Sequence, residues 1–130
     1  MLWRPMPKWT VHKIEQAPRE PMIAGVERRF VSGERTTVGQ IWIAKGALVP
    51  RHTHESEQVS YIVSGALRFL LDDRDDVTVR SGEILVIPSN IPHSAEALED
   101  TYDIDLFSPR REDWISGNDA YLRGPSELRR

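Results

Sequence analysis

Short β-rich runs separated by turn residues are the feature that most restricts the fold of this 130-residue chain. Each run is bounded by Gly, Pro, Asn, Asp or Ser, as hairpin-linked strands are. The six runs are Val38–Ala44, Val59–Val63, Leu67–Leu71, Val77–Val79, Ile84–Ile87 and Tyr102–Phe107. Because no long segment has the 3.6-residue apolar period of a helix, the pattern predicts an all-β sandwich or small barrel.

The two ends of the chain lack this strand pattern. Residues 1–20 are rich in Pro and Trp, and we expect them to form an arm that lies against another surface. A short C-terminal helix is predicted over Pro109–Ile115, with Ser108 as its N-cap and Pro109 at its first position. Residues 118–130 are expected to form a tail. The chain is therefore predicted to be a single domain over 1–130, with its barrel core at 38–114.

Composition and charge exclude several classes of function. The net charge of −3 is mild, which argues against a nucleic-acid or anionic-membrane partner, since both require a clustered basic surface. Without cysteine, neither a disulfide framework nor a thiolate zinc site can form. The N-terminus has no apolar core of a secretion signal, and no apolar run approaches membrane-spanning length. We expect a soluble cytoplasmic protein.

Two of the four histidines stand one residue apart, at His52 and His54. On a strand both side chains point to one face, about 7 Å apart along the chain, and a local twist or bulge lets them share a metal ion. Gln58 has the same parity, and His93 can fold back from a neighbouring strand. The same pair also fits a solvated strand edge, because short motifs have many false positives.

Both histidine segments resemble the two motifs of the cupins. The residue types that define each cupin motif occur here at the spacing of that motif: Gly46, His52, His54 and Gly65 in the first motif, and Gly82, Pro88 and His93 in the second. The resemblance implies a double-stranded β-helix, or jelly-roll barrel, which agrees with the strand pattern. It also implies one divalent transition metal (Ni, Mn, Fe, Zn or Cu) held by His52, His54, Gln58 and His93.

Three positions depart from the cupin motifs. Asn90 replaces a glycine, and asparagine is the residue that most readily adopts a positive-φ turn conformation in its place. Ala97 replaces an asparagine, so this position holds no ligand. Gln58 replaces the usual glutamate, and a neutral amide leaves a divalent ion with its full +2 charge. Such an ion is a stronger Lewis acid and attracts anions more strongly.

The run Asp105–Asp113 resembles the ending D-x-F-S-P-x-R-E-D of a branch of small cupins, the KdgF-type proteins of pectin and alginate breakdown. The Glu57-Gln58 pair in the first motif is also typical of that branch. The resemblance implies an enzyme that converts cyclic 4,5-unsaturated monouronates, which are carboxylate-bearing sugars, to their linear keto form. It assigns the catalytic roles to Asp105, Phe107 and Arg111.

These roles suit the chemistry, although the residues alone leave them open. An unsaturated uronate needs an electrophile at its oxygens, a cation for its carboxylate and a general acid–base, which the metal, Arg111 and Asp105 can supply. Phe107 can pack on the sugar. On strand pattern alone, Ile104 and Leu106 can instead form the core face and leave Asp105 in solvent, and Arg111 fits an ordinary surface charge.

Two other classes of function fit the same residues. One is a cupin dioxygenase or carbonyl lyase. The absence of the glutamate from the first motif argues against the dioxygenase. The other is a non-catalytic sugar-binding cupin. In each case a small molecule is the expected partner. We also expect a homodimer, because swapping the Trp/Pro-rich arm onto a second copy would protect a sheet edge.

Overall fold

A computed structural model describes residues 8–123 as two antiparallel sheets around one core. The six-stranded sheet has the spatial order β1 (Glu20–Pro21), β2 (Val26–Ser32), β3 (Thr37–Ile43), β10 (Thr101–Ser108), β5 (Glu57–Ser64) and β8 (Ile84–Ile87). The four-stranded sheet has the order β4 (Leu48–His52), β9 (His93–Ala97), β6 (Ala66–Leu71) and β7 (Asp75–Arg80). A 3-10 helix covers Ile14–Gln16, and helices α1 (Glu112–Ser116) and α2 (Ala120–Arg123) follow β10. The expected all-β fold is confirmed.

Alternating burial along the strands explains why these segments pair. In β3, Thr37, Gly39, Ile41 and Ile43 are buried between the sheets, and the residues between them are half-exposed. The largest apolar side chains that the strands contribute to the core come from both sheets: Ile41, Ile43, Ile62, Leu67, Phe69, Ile87 and Phe107. Burying one such side chain contributes about 1.5–3 kcal/mol, so this shared core holds the two sheets together.

The six predicted strands all occur, with ends that differ by no more than two residues. Strands β1, β2, β4 and β9 were not predicted. Two of them have poor strand patterns, since Pro50 interrupts β4 and β9 reads His-Ser-Ala-Glu-Ala. They form because β4 and β9 pair with each other and β2 pairs with β3, and such pairing outweighs weak intrinsic preference.

The C-terminal helix begins later than predicted. Ser108 still pairs with Glu57 as the last residue of β10, and α1 begins at Glu112 without a side-chain cap. The predicted N-cap at Ser108 is therefore wrong. Part of the predicted tail is folded as α2, whose Leu122 is buried. Residues 124–130 of the tail and residues 1–7 of the arm lie outside the described residues. No helix within 8–123 is long and apolar enough to cross a bilayer.

A buried ion cluster fixes α2 to the six-stranded sheet. Arg28 of β2 is fully buried, and it donates to Asp119 at 2.6 Å and to Glu20 at 3.2 Å. Arg123 of α2 pairs with the same two carboxylates. The Arg28 guanidinium also lies 4.4 Å from the ring centroid of Trp114. The cluster therefore holds α2 against the barrel.

We expect Asp119→Ala to destabilise the protein by about 3–5 kcal/mol, because it removes one partner of a buried ion pair and leaves Arg28 without its closest acceptor. Urea unfolding monitored by circular dichroism measures the change. The matched control is Asp76→Ala, which removes the exposed pair with Arg68 and should leave the unfolding midpoint nearly unchanged. Equal midpoints for the two variants would contradict a structural role for the cluster.

Candidate metal centre

Strand pairing brings three histidines together at one end of the four-stranded sheet. His52, the last residue of β4, is the cross-strand partner of His93, the first residue of β9. The pairing shifts register between Val49 and His52, and His54 lies two residues beyond the strand end. One ligand nitrogen of each ring lies within 4.8 Å of the others. The described part of the chain thus contains the histidine cluster that the motifs predicted.

Backbone carbonyls fix the orientation of all three rings. The Nδ1–H groups of His52, His54 and His93 donate to the carbonyls of Pro50, Ser56 and Ile91, at 2.7, 2.8 and 2.8 Å. In a neutral imidazole this arrangement leaves the Nε2 lone pair available as a ligand. The turn before β9 is tied to the same segment, since Asn90 has the expected positive φ of 63° and its N–H donates to the His54 carbonyl.

Burial keeps these imidazoles neutral. It is the main cause that lowers the pKa of His52 to about 3 and the pKa of His54 to about 4, and the neighbouring positive groups lower both further. Burial also lowers the pKa of His93. His93 Nε2 is buried and has no hydrogen-bond partner among the described residues. Metal ligands must be deprotonated, so the three rings are in the form that a metal requires.

Gln58 reaches the cluster from β5 in the other sheet. Its Oε1 lies 3.0 Å from His54 Nε2, and its amide donates to Ser60 Oγ at 2.9 Å, which sets the orientation of the amide. Because His54 Nδ1–H is already donated, two lone pairs face each other across this short distance. A shared cation removes that repulsion. The donor set of three imidazoles and one amide oxygen therefore fits a divalent transition metal.

Two buried carboxyl groups on β10 continue this polar network. Asp105 accepts a hydrogen bond from Ser60 Oγ at 2.7 Å, and it is also hydrogen-bonded to Asp103. Burial, followed by the charge of Asp105, raises the pKa of Asp103 well above its usual range. Burial also raises the pKa of Asp105, although the two hydrogen bonds that it accepts oppose the shift. Burial and the neighbouring charge therefore favour the protonated form of Asp103.

The alternative in which Ile104 and Leu106 form the core face of β10 is wrong. Asp103, Asp105 and Phe107 are buried, whereas Leu106 is 47% exposed. The inward carboxyl groups are tolerated because they hydrogen-bond to each other and to Ser60, which offsets the cost of burying them.

Arg111 packs against Phe107, and Phe107 in turn packs against the His54 ring of the cluster. The buried Arg111 guanidinium donates to Asp113 at 2.9 and 2.7 Å and to the Tyr121 hydroxyl at 2.8 Å. It lies 4.7 Å from the Phe107 centroid, and the Phe107 ring meets His54 edge-on at 5.6 Å. The guanidinium charge also contributes to the low pKa of His54.

Four residues of this region were not predicted as site residues: Arg28, Ser60, Asp103 and Tyr121. Asp103 has the same strand parity as Asp105, which was the only signal available for it. Tyr121 lies in the predicted tail, yet its ring stacks on His52 at a centroid distance of 4.2 Å. The remaining histidine, His12, is exposed in the arm, where its ring bonds to the Thr10 hydroxyl at 2.9 Å.

The inward side chains enclose one cavity of about 50 Å³. Its polar lining includes Arg28, His52, Gln58, His93, Asp103 and Asp105, and Tyr121 and Leu122 of α2 also contact it. Phe107 and Arg111 do not line it. By this measure roughly 10–15 Å³ already holds one water molecule, so the cavity has room for a small ligand of a few heavy atoms or for part of a sugar.

Three known proteins are similar to this chain in sequence or in fold. The chain is 24% identical over 104 residues to the pectin degradation protein KdgF of Dickeya dadantii (strain 3937), a match that covers 78% of this chain and 94% of that protein. It is 32% identical over 74 residues to 3-hydroxyanthranilate 3,4-dioxygenase of Rattus norvegicus, covering 55% of this chain and 26% of that enzyme. The structure of KdgF from Halomonas sp. superimposes with a TM-score of 0.74 at 29% identity, covering 82% of this chain and 99% of that one.

The family comparison agrees with these relatives. The model of the cupin domain matches residues 41–108, which include all three clustered histidines and Gln58. The predicted jelly-roll fold and the resemblance to KdgF-type cupins are thereby confirmed. Because the matched segment covers more than half of the chain, this protein belongs to the cupin domain family.

Proposed function

We propose that this cupin is a metal-dependent enzyme that converts a cyclic 4,5-unsaturated monouronate to its linear keto form. The observation that carries the proposal is that the buried carboxyl group of Asp105 shares one cavity with the histidine cluster. The similarity to two KdgF proteins supports a carboxylate-bearing sugar as the substrate. A cytoplasmic location remains a prediction from the sequence.

The proposed ligands of the metal are His52, His54, His93 and Gln58, and the proposed ion is one of Ni, Mn, Fe, Zn and Cu. When bound, the ion would act as a Lewis acid that polarises oxygen atoms of the substrate. The protein holds the ligand lone pairs ready through the Nδ1–H hydrogen bonds and through burial, which keeps the rings neutral. Gln58 adds no negative charge, so this end of the cavity attracts an anionic group.

Asp105 is the proposed general acid–base. Ring opening breaks the bond between the anomeric carbon and the ring oxygen, and the hemiacetal hydroxyl loses a proton as the aldehyde forms. The ring oxygen becomes an enol, which becomes a ketone when the adjacent carbon gains a proton. One carboxylate can accept the first proton and supply the second, so the reaction is an isomerisation without net proton change. The hydrogen bond from Ser60 holds this carboxylate in place.

Phe107 and Arg111 complete the proposed set as positioning residues. Phe107 packs edge-on against the His54 ring, and Arg111 places a positive charge beside the histidine cluster. The sequence also predicts that Arg111 binds the substrate carboxylate directly. Such binding would require Asp113 and Tyr121 to release the guanidinium.

A dioxygenase is the second candidate, favoured by the 32% identity to 3-hydroxyanthranilate 3,4-dioxygenase. That match covers only 26% of the rat enzyme. The neutral Gln58 is also less suited than a carboxylate to stabilise an oxidised metal. Metal-dependent oxygen consumption with a small aromatic substrate would favour this candidate.

We expect the metal-loaded protein to remove the near-ultraviolet absorbance of an unsaturated monouronate, and a chelator to abolish this activity. Asp105→Asn should lower kcat by about 10²–10⁴-fold, because the amide cannot transfer the proton. Metal content, measured by mass spectrometry, should not change in this variant. Asp75→Asn on the exposed end of β7 is the control and should keep full activity. No turnover with any of the five metals would refute the proposed reaction.

We expect the affinity for Zn²⁺ to fall by less than about threefold between pH 7 and pH 5.5, because the metal competes with protons only near the pKa of its ligands. Three exposed histidines with a pKa near 6.5 would lose roughly 10²–10³-fold over that range. Burial lowers the pKa of His52 to about 3 and of His54 to about 4, so these rings remain neutral at pH 5.5. Competition titration with a chromophoric chelator measures the affinity. A hundredfold loss would contradict the buried neutral site.

The homodimer expected from the sequence is also a proposal. Five apolar side chains form one register row across the outer face of the six-stranded sheet: Val31, Val38, Leu106, Val59 and Val86. Leu106 is 47% exposed and Val86 is 54% exposed. A continuous apolar row on an outer sheet face is typical of an interaction surface, and we infer that a second copy of the chain covers it.

Light scattering should therefore give the mass of two chains, and Leu106→Lys should give the mass of one, because it places a charge in the centre of the row. Leu70→Lys is the matched control, since Leu70 is similarly exposed on the outer face of the other sheet. That variant should stay dimeric. A monomeric wild-type protein at all concentrations would refute the proposed interface.

A further inference from the structure

Three buried side-chain atoms have no hydrogen-bond partner within residues 8–123: Arg28 Nε, His93 Nε2 and Asp103 Oδ1. All three residues line the same cavity. The metal proposed above accounts for His93 Nε2. It does not account for the other two atoms, and buried polar atoms are rarely left without a partner.

Arg28 and Asp103 belong to one register row of the six-stranded sheet. Arg28 pairs with Ile41, and Ile41 pairs with Asp103, so a single strand separates the two polar residues. Both are buried on the inner face. Their free atoms are complementary, because Arg28 Nε–H is a donor and the carboxyl oxygen Oδ1 of Asp103 can accept a hydrogen bond.

The charges around this pair favour a neutral group over an anion. The charge of Arg28 is already balanced by Asp119 and Glu20, which Arg123 also contacts. Asp103 lies beside the carboxyl group of Asp105, and burial together with that neighbouring charge raises the pKa of Asp103. Arg111, in contrast, places its positive charge at the histidine end. A hydroxyl group, which both donates and accepts, is the simplest neutral group that matches both free atoms, and Arg28 and Asp103 line one cavity of about 50 Å³.

We propose that Arg28 and Asp103 form an inner subsite for a hydroxyl group of the ligand, so that the cavity selects small hydroxy acids whose carboxylate lies at the histidine end. Unsaturated uronates belong to this class, and the orientation rests on the proposed metal site. The subsite itself is a specificity determinant that can be tested without turnover.

The test compares pairs of acids that differ by one hydroxyl group. Binding of 3-hydroxypropionate and 4-hydroxybutyrate to the zinc-loaded protein is measured by titration calorimetry against propionate and butyrate. The hydroxyl groups lie away from the carboxylate, and the two chain lengths vary how far they reach. We expect at least one hydroxy acid to bind about tenfold or more tightly than its parent acid, because the parent leaves Arg28 Nε and Asp103 Oδ1 unpaired.

Variants separate the subsite from a purely structural role. Asp103→Leu and Arg28→Met should remove the preference for the hydroxy acid, whereas Asp103→Asn should retain it, because the amide oxygen still accepts a hydrogen bond. Arg123→Met is the matched control: it removes the other arginine of the ion cluster, which does not line the cavity, and should keep the preference. If Arg28→Met does not fold, the two Asp103 variants still decide the outcome.

Three results would overturn the subsite: no binding of any of the four acids, no preference in the wild-type protein, or the same preference in Asp103→Leu. The last result would mean that a fixed water satisfies both atoms. Failure of the proposed reaction is distinguishable, because the hydroxyl preference would then persist in a protein that does not turn over unsaturated uronates.

Discussion

The pairing of His52 with His93 across β4 and β9 is the constraint on which the rest of the site depends. Directly opposed residues of an antiparallel pair have Cβ atoms about 5 Å apart, so the pairing alone brings two imidazoles within reach of one ion. A slip of either strand by one residue would turn its histidine to the opposite face of the sheet, away from the other histidine. The carbonyl acceptors of Pro50 and Ile91 then orient the rings. His54 approaches from the segment that connects β4 to β5, and Gln58 approaches from β5 itself.

The cavity has two ends of different electrostatic character. Three neutral imidazoles lie at one end, beside the Arg111 charge, and the two buried carboxyl groups of Asp103 and Asp105 lie at the other. The hydrogen-bonded sequence Gln58–Ser60–Asp105 connects them, so a change in the carboxyl pair reaches a proposed metal ligand through two hydrogen bonds. In a small apolar barrel of low dielectric constant these interactions are stronger than in water.

Helix α2 limits what the cavity can hold. The buried ion cluster of Arg28, Asp119, Glu20 and Arg123 fixes this four-residue helix, which is too short to be stable alone. Its Tyr121 ring then stacks on His52 and connects to Arg111 through the hydroxyl group. Arg28 thus has two functions in the same position, since it anchors the cover of the cavity and also lines the cavity wall.

The sequence by itself determined the features that depend on near neighbours. Alternation and turn residues identified six of the ten strands, and the spacing of His52, His54 and His93 within two motifs identified the metal candidates. The φ of Asn90 followed from its turn position in the same way.

Only the tertiary structure decided which face of β10 is buried, because Asp103 and Asp105 alternate with Ile104 and Leu106 in a pattern that allows either choice. The inward hydrogen bonds of Asp105 made that choice. Arg28 and Tyr121, at opposite ends of the chain, likewise reach the cavity through β2–β3 pairing and the ion cluster. Local sequence cannot encode such contacts, since an isolated arginine or tyrosine has the same neighbours in sequence whether it ends at the surface or in a site.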